Sequence, residues 1–362
     1  MHGQQTQHTT MHRRSFLSAA ASGLLLQTFA PRLLAAPVEP LIAVQFGQFP
    51  PGDQVRRIAS AGPLADVMLI SLVPDKLLGI STHNIPESRK KFFPESVRHL
   101  PNTGRLAGRG TTFPMESLLA LQPDLILDLG NTSDTYTSTA ERVFQQTGIP
   151  YLVMSGRLDA SGEQLRTLGE MLGAAERGQT LGRFADRILA DARRLREQTA
   201  AHPVRVFFGR SADGLETGLS GSIHAEVIDT VGGYNVAAAA GKELLARVSM
   251  EQLIQWDPDV ILTQDANYFE RLRHDPLWKD LRAVQTGRIY LAPTMPFGWL
   301  DHPPGINRLL GILWCTHVFH PEVLPLARYE AAVAEYFELF YGYRLAPGEL
   351  ATLDHRAALT GG

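Results

Sequence analysis

The sequence predicts an α/β protein of two lobes, each a mainly parallel β-sheet flanked by helices, with a single long α-helix connecting them. Three observations predict this fold: a short segment occurs twice, apolar runs alternate with helical patterns in both halves, and a long amphipathic stretch separates the halves. We expect a first lobe over residues 37–174, a connecting helix over 175–199, a second lobe over 203–345 and a C-terminal tail over 346–362.

The repeated segment is the strongest of these observations. Residues 115–127 recur as residues 250–262, with seven positions identical and no gap, at an offset of 135 residues. Each copy predicts a short amphipathic helix with a Glu in its first turn, a Pro-Asp pair that ends the helix, and a buried strand. Duplicated units of this kind indicate two similar halves.

Further strands are predicted at residues 77–80, 151–154, 204–208 and 289–291, with helical patterns between them. Residues 161–199 have helical periodicity, which Gly173 interrupts. The second part of that stretch would be on the order of 35 Å long and could bridge two lobes as a stiff hinge with small closure motions. The aromatic residues near the C-terminus are predicted to pack in the core; they are Tyr336, Phe337, Phe340, Tyr341 and Tyr343.

Residues 1–36 have the features of a signal peptide. Arg13 and Arg14 precede Ser-Phe-Leu and an apolar run that is too short to span a bilayer, and small residues follow at Ala35 and Ala36. The arginine pair favours the twin-arginine export route, with an ordinary Sec signal as the alternative. No cysteine lies near the expected cleavage site, so we expect a soluble, exported protein without a lipid anchor.

Composition excludes several classes of protein. The formal net charge is -3 and charged residues make up 20%, without the basic stripes of a nucleic-acid binder. The single cysteine, Cys315, lies in an apolar helical pattern and is expected to be a core residue. No closed metal site, nucleophile elbow, P-loop or dinucleotide fingerprint is visible. We therefore expect no nucleic-acid partner, no catalytic residues and no resident cofactor.

The chain resembles the periplasmic binding proteins of the iron-siderophore, haem and vitamin B12 importers. The resemblance rests on the duplicated Glu…Pro-Asp units, on the Gly-Gly-Tyr-Asn at 232–235 and on the Phe-Tyr-Gly-Tyr at 340–343. The Pro-Phe-Gly-Trp at 296–299 is similar to a subgroup described as binders of iron complexes or oxyanions. The resemblance implies a periplasmic monomer that works with the permease of an ABC importer and binds a small-molecule metal complex.

In that family, one Glu of each lobe docks onto arginines of the permease. The matching residues here are Glu116 and Glu251. Two carboxylates related by duplication would lie at equivalent places on the two lobes, so one symmetric partner could bind both. The alternative is that each Glu only favours the first turn of its helix.

A ligand is expected in the cleft between the lobes, beyond the carboxyl ends of the strands. Arg105, Arg109 and Arg210 lie in loops there, and guanidinium groups suit an anionic chelate or oxyanion. Tyr268 and Trp299 could pack against the organic part of a ligand. The remaining candidates are two loop histidines, His83 and His224, each with a plain surface role as its alternative.

The leading functional interpretation is a binding protein for a ferric siderophore. Molybdate or tungstate-type oxyanions, haem and corrinoids stay open as ligands, and the metal is expected to arrive already bound in its complex. The contrasting interpretations are a chelatase-like enzyme built from similar lobes, and a surface receptor of the same fold. The export signal argues against the first, and the absence of an anchoring cysteine argues against the second.

Overall fold

The computed structural model describes residues 40–81, 85–107, 110–241 and 245–355. The predicted signal peptide lies outside these residues. Within the described ranges, no helix combines the length and the apolar character that crossing a membrane requires.

The first lobe is built on one sheet. Its strands are β1 (Ile42–Phe46), β2 (Ile58–Ser60), β3 (Leu125–Gly130) and β4 (Tyr151–Ser155). They lie in the order β1-β4-β3-β2, with β3 parallel to both of its neighbours and β1 antiparallel at the edge. The central strands are buried, as the continuous apolar runs predict.

Helices flank this sheet and lead into the connecting helix. They are α1 (Pro63–Leu72), α2 (Glu87–Lys90), α3 (Glu95–Arg98), α4 (Met115–Ala120), α5 (Asp134–Thr147), α6 (Ser161–Met171) and α7 (Ala175–Thr199). Gly173 separates α6 from α7 with a φ of 70°, a left-handed conformation that glycine adopts without strain. A side chain there would also collide with the Gly52 carbonyl oxygen, so this interruption depends on glycine.

The second lobe repeats the arrangement. Its strands are β5 (Arg205–Gly209), β6 (Glu216–Gly218), β7 (Tyr234–Asn235), β8 (Leu245–Arg247), β9 (Val260–Thr263) and β10 (Ile289–Leu291). The main sheet has the order β10-β9-β5-β7 and is parallel throughout, while β6 and β8 form a separate antiparallel pair. The predicted fold class is therefore confirmed: two distinct, mainly parallel sheets with helices on both sides.

The helices of this half complete the chain. They are α8 (Glu226–Thr230), α9 (Met250–Trp256), α10 (Ala266–His274), α11 (Arg282–Gln285), α12 (Arg308–Phe319), α13 (Leu326–Tyr336) and α14 (Glu349–Leu353). A π-helical turn, Phe337–Tyr341, extends α13. Residues 349–353, which the sequence assigned to the tail, form α14, and its Leu350 and Leu353 are buried in the core.

The prediction of a strand at residues 77–80 is wrong. A short 3₁₀ turn, Pro74–Lys76, precedes this segment, which makes only isolated bridges between Ile58 and Leu77 and between Ile80 and Asn102. At Gly79 the backbone lies so close to Thr103 that a Cβ atom would collide with it. The apolar side chains here fill the core without forming a ladder, which periodicity alone cannot distinguish from a strand.

The duplicated segment forms the same tertiary unit in both lobes. In each, an arginine at the start of a neighbouring strand donates to a carbonyl at the end of the repeat helix: Arg57 to Leu121 at 2.6 Å, and Arg205 to Trp256 at 2.5 Å. The next residue, Gln122 or Asp257, has a positive φ of 45° or 39°. The two helices are thus attached to their sheets in the same way.

A similar hydrogen-bond exchange fixes the Pro-Asp pair of each unit. Asp124 and Asp259 each donate from the backbone to the carbonyl of their strand arginine, Arg57 or Arg205, at 2.8 Å. Their carboxylates accept from the backbone N–H of the same arginines at 2.8 and 3.1 Å. The identity of Asp at both positions therefore has a structural reason.

The lobes share more than the connecting helix α7. One apolar core contains side chains from both sheets, and aromatic residues of the C-terminal segment pack against the first lobe. The ring of Phe92 lies 5.8 Å from Phe337 and 4.9 Å from Tyr343, and Phe93 lies 5.8 Å from Tyr341. The prediction that the C-terminal aromatic residues form core is confirmed for Tyr336, Phe337, Phe340 and Tyr341, and Tyr343 packs half-buried against them. The lobes are therefore in direct contact in addition to the predicted connecting helix α7.

An ion pair of the second lobe, between Arg308 and Glu226, also makes hydrogen bonds to the first lobe. Arg308 donates to the carboxylate of Glu226 at 2.6 Å and to the carbonyl of Gly156, in the first lobe, at 2.6 Å. The second carboxylate oxygen of Glu226 accepts from the backbone N–H of Leu158 at 3.1 Å, also in the first lobe. Arg308 is almost completely buried, so these bonds are shielded from water.

We expect Arg308→Met to lower the free energy of unfolding by about 2 kcal/mol or more. The substitution leaves Glu226 without its cation and the Gly156 carbonyl without its hydrogen-bond donor. Urea denaturation at neutral pH measures the change. Arg344→Met is the matched control, since Arg344 and its partner Glu338 are exposed and such a pair contributes about 0–1 kcal/mol. Equal effects of both substitutions would contradict the role assigned to the buried pair.

Candidate functional site

A large cavity lies where the carboxyl ends of the two parallel sheets face each other. Its volume is about 1560 Å³. The first lobe contributes the start of α1, the loop between β3 and α5, and the residues after β4. The second lobe contributes Arg210 after β5, residues 221–224, and residues 296–297 and 301–304 after β10. This is the position at which open α/β sheets bind ligands.

Arginines from both lobes line the cavity: Arg89, Arg105, Arg157 and Arg210. Arg89 donates to the carbonyl of Pro296 across the cleft at 3.0 Å, and Arg157 forms a bidentate pair with Asp159. The guanidinium of Arg105 makes no hydrogen bond to any described residue, although its charge acts on buried Asp66. Arg105 is therefore the cavity arginine with the most capacity left for a ligand.

Arg210 is held between two carboxylates. Its Nε donates to Asp301 and its Nη1 donates to Glu216, each at 2.5 Å, and only 6% of its side chain is exposed. Its charge is therefore balanced within the protein. Arg210 stiffens the wall of the second lobe more than it offers free donors to a ligand.

Asp301 also orients His224. Its carboxylate accepts from His224 Nδ1 at 2.9 Å, which leaves Nε2 as the ring nitrogen free to meet a ligand. Burial raises the pKa of Asp301, but the hydrogen bond and charge of His224 and the charge of Arg210 outweigh burial and hold the pKa well below its usual range. Asp301 is thus an ionised anchor for both Arg210 and His224.

Two buried acids in the first-lobe wall of the cavity have raised pKa values, in contrast to Asp301. Burial raises the pKa of Asp66 to about 6, against hydrogen bonds from Ser81 and the charge of Arg105. Burial raises the pKa of Asp128 to about 7, against a hydrogen bond from Tyr151. Near neutral pH, this wall therefore carries less negative charge than its acidic residues suggest.

Two helices begin at the cavity. Gly62 precedes α1 and Ser133 precedes α5, and both residues line the cavity. These helices have 10 and 14 residues. The backbone N–H groups of a first turn lack partners within the helix, and the helix dipole is positive at this end. Together with the arginines, they make the cavity suited to an anion.

Comparison with known proteins assigns the chain to a family. The family model described as periplasmic binding protein matches residues 58–295, which include strands and helices of both lobes. The chain belongs to this family. Its relatives are substrate-binding proteins, so the chain is a periplasmic binding protein of the ABC transporter type and not an enzyme.

Similarity to particular proteins is more distant. The molybdate-binding protein MolA of Haemophilus influenzae is 25% identical over 291 residues, covering 73% of this chain and 80% of MolA. A solute-binding protein from Sulfurospirillum deleyianum has 26% identity and a TM-score of 0.75, covering 83% of this chain and 94% of its own. The haem-binding protein RhuT from a Roseiflexus species shares the fold at 22% identity and a TM-score of 0.54, covering 77% of this chain and 99% of RhuT.

The structure places some of the predicted site residues of this binding protein together. Arg105 of the first lobe and Arg210 and His224 of the second lobe line the same cavity. Arg109 and His83 lie outside the described residues. No group of three or more His, Cys, Asp or Glu residues in the described part of the chain is arranged to hold a metal ion.

The predictions for Tyr268 and Trp299 are contradicted by their burial. Tyr268 is fully buried in the second lobe, its ring 5.0 Å from Trp278 and packed over Gly214. Trp299 is fully buried as well, donates from its indole to the carbonyl of Met295 at 2.9 Å, and packs on Phe337. Both residues follow a strand, but their chains turn the rings into the core and away from the cavity.

Sequence reasoning missed several charged residues of the cavity, among them Arg157, Arg89 and Asp301. Arg157 lies two residues beyond β4, so the strand-end rule could have found it. Arg89 belongs to α2, which follows no strand, and only the tertiary fold brings it to Pro296. Asp301 lies just beyond the Pro-Phe-Gly-Trp motif, and its role depends on two partners distant in sequence, Arg210 and His224.

The raised pKa of Asp128 predicts a pH-dependent stability. The native state retains a proton that the unfolded state has lost, so this group stabilises the fold below about pH 4 and its contribution disappears as pH rises through about 7. Asp128→Asn removes the titration. Relative to wild type, its free energy of unfolding should therefore rise by on the order of 2 to 4 kcal/mol between about pH 4 and pH 8.

Urea denaturation across this pH range measures the difference. Asp53→Asn, at an exposed position, is the control. A flat difference for Asp128→Asn would show that Asp128 is ionised in the native state at all these pH values.

Proposed function

We propose that this periplasmic binding protein captures an anionic metal compound in the cavity between its lobes and delivers it to the permease of an ABC importer. The observation that carries the proposal is the charge pattern of the cavity. Arg89 and Arg105 of the first lobe and the starts of two helices line it without a carboxylate partner among the described residues, whereas its acidic side chains are paired with cations or have a raised pKa. Such a surface favours a negative ligand over a bare metal cation.

An oxyanion of the molybdate type is the first candidate for the ligand. A guanidinium fork and unpaired backbone N–H groups are the donors that tetrahedral oxyanions accept. Arg105 retains free donors, and His224 Nε2 can donate when the ring is protonated. The similarity to a molybdate-binding protein supports this choice over the ferric siderophore that the sequence alone placed first.

A ferric chelate is the second candidate, and the size of the cavity favours it. At about 1560 Å³ it exceeds the roughly 300–1,000 Å³ typical of small-molecule pockets. Apolar and aromatic side chains such as Ile85, Phe93, Tyr136 and Phe297 line part of it and could contact an organic shell. An anionic chelate would use the same arginines as an oxyanion, so the two candidates share one charge requirement.

Delivery to a permease is supported by the two repeat carboxylates. Glu116 and Glu251 lie exposed in the first turns of α4 and α9, and neither pairs with a cation among the described residues. Equivalent attachment of both helices places the carboxylates at equivalent positions on the two lobes. We propose that they dock onto basic residues of the permease, and that the protein acts as an exported monomer.

The charge requirement is tested by measuring binding of molybdate, tungstate, sulfate, ferric chelates, haem and cobalamin by calorimetry and native mass spectrometry. We expect one anionic metal compound to bind at one-to-one stoichiometry. Arg105→Gln should weaken that binding about tenfold or more, because it removes a charged donor pair. Arg344→Gln, on the exposed surface, is the control. Preference for a neutral or cationic ligand, or no effect of Arg105→Gln, would contradict the proposal.

The docking role is tested by Glu116→Ala combined with Glu251→Ala. Cellular uptake of the ligand should fall about tenfold or more, while ligand affinity of the purified protein stays at the wild-type value. Glu163→Ala combined with Glu197→Ala, two other exposed carboxylates, is the matched control. A collapse of ligand affinity in the docking variant would show that these residues serve the cavity instead.

A further inference from the structure

Two large apolar side chains are exposed at equivalent positions of the duplicated segment. Leu119 in α4 is 46% exposed and Ile254 in α9 is 49% exposed. They are separated by the same 135 residues that relate the two copies. Single exposed apolar residues are ordinary on protein surfaces, but the same exposure at the same position of both units is not explained by chance scatter.

Each apolar residue shares a helix face with a docking carboxylate. Glu116 and Leu119, like Glu251 and Ile254, are three positions apart on a helix, a spacing that places side chains next to each other. The residues just before them, Leu118 and Leu253, are fully buried and anchor the opposite face. Both lobes therefore present a carboxylate beside an apolar side chain.

The presentation is held by the same bonds in both lobes. Arg57 and Arg205 bind the ends of the two helices, which restricts their movement relative to the sheets. Leu118 and Leu253 already pack each helix against its lobe, so neither helix depends on the exposed Leu119 or Ile254 for packing. Contact with a partner that meets both lobes accounts for these two exposed side chains better than a requirement of folding does.

We propose that Leu119 and Ile254 are contact residues for the permease, each seated in an apolar recess beside the basic residue that pairs with Glu116 or Glu251. The inference rests on the proposed docking function and extends it. The partner would be a membrane protein with two related sites, each combining positive charge with an apolar recess, which matches the duplicated surface of this chain.

The two kinds of residue would contribute differently. Exposed ion pairs add little affinity but guide approach and orientation, and salt screens them. A leucine or isoleucine that leaves water on binding supplies affinity that salt does not weaken. The apolar pair would therefore determine how long the complex lasts, and the carboxylates how it is oriented.

The test measures binding of the ligand-free protein to its importer in nanodiscs by biolayer interferometry at several salt concentrations. Leu119→Ser combined with Ile254→Ser should raise the dissociation constant about tenfold or more and leave its salt dependence unchanged. Leu326→Ser is the control, because Leu326 is 45% exposed but lies on α13, outside the duplicated segment. Its dissociation constant should match that of wild type.

Glu116→Ala combined with Glu251→Ala separates this inference from the docking function on which it rests. Weaker binding with a reduced salt dependence in this variant, but no change in the serine variant, would overturn the apolar contact and keep docking. No change in either variant would overturn both. Sedimentation of the free protein covers self-association: a wild-type dimer that the serine variant converts to monomer would also overturn the inference.

Discussion

The ion pair between Arg308 and Glu226 joins the second lobe to the first through hydrogen bonds from both of its members. Arg308 reaches the carbonyl that follows β4, Glu226 accepts from the backbone two residues further on, and both lie on helices of the second half. Burying such a pair is costly, and an apolar replacement of both partners can be as stable. We interpret its presence as a requirement for a defined geometry: it fixes the base of the cleft from which the ligand-facing loops project.

Around that base, the cavity is preorganised in charge as well as in shape. Asp301 holds Arg210 and His224 in place through one carboxylate, and Arg89 closes against the opposite lobe through Pro296. Donors that are already oriented lose little entropy when a ligand arrives. The shared apolar core and the aromatic contacts of the C-terminal segment add further contacts between the lobes.

The duplicated segment made most of the fold predictable. It specified a helix, a turn and a buried strand in each lobe, and the apolar stripe of α7 specified the connection. The segment at 77–80 was mistaken for a strand because apolar residues can fill a core without pairing. Strand β1 was not predicted because it is an antiparallel edge strand of mixed burial.

In the cavity, Tyr268 and Trp299 were misplaced because position after a strand does not determine the direction of a side chain. Partners such as Arg308 and Gly156 are 152 residues apart, so no local pattern reveals them.

The central claim is that Arg308 and Glu226 hold the lobes in one arrangement through their bonds to the first lobe. The distance between the lobes tests it most directly. Spin labels on Leu119→Cys and Ile254→Cys report that distance by pulsed electron–electron double resonance. Both sites are exposed, and the native Cys315 is buried. The account predicts a single narrow distance distribution for the ligand-free protein, and a broader one with longer distances once Arg308→Met is added. A broad or bimodal distribution before that substitution, or the same narrow one after it, would contradict the claim.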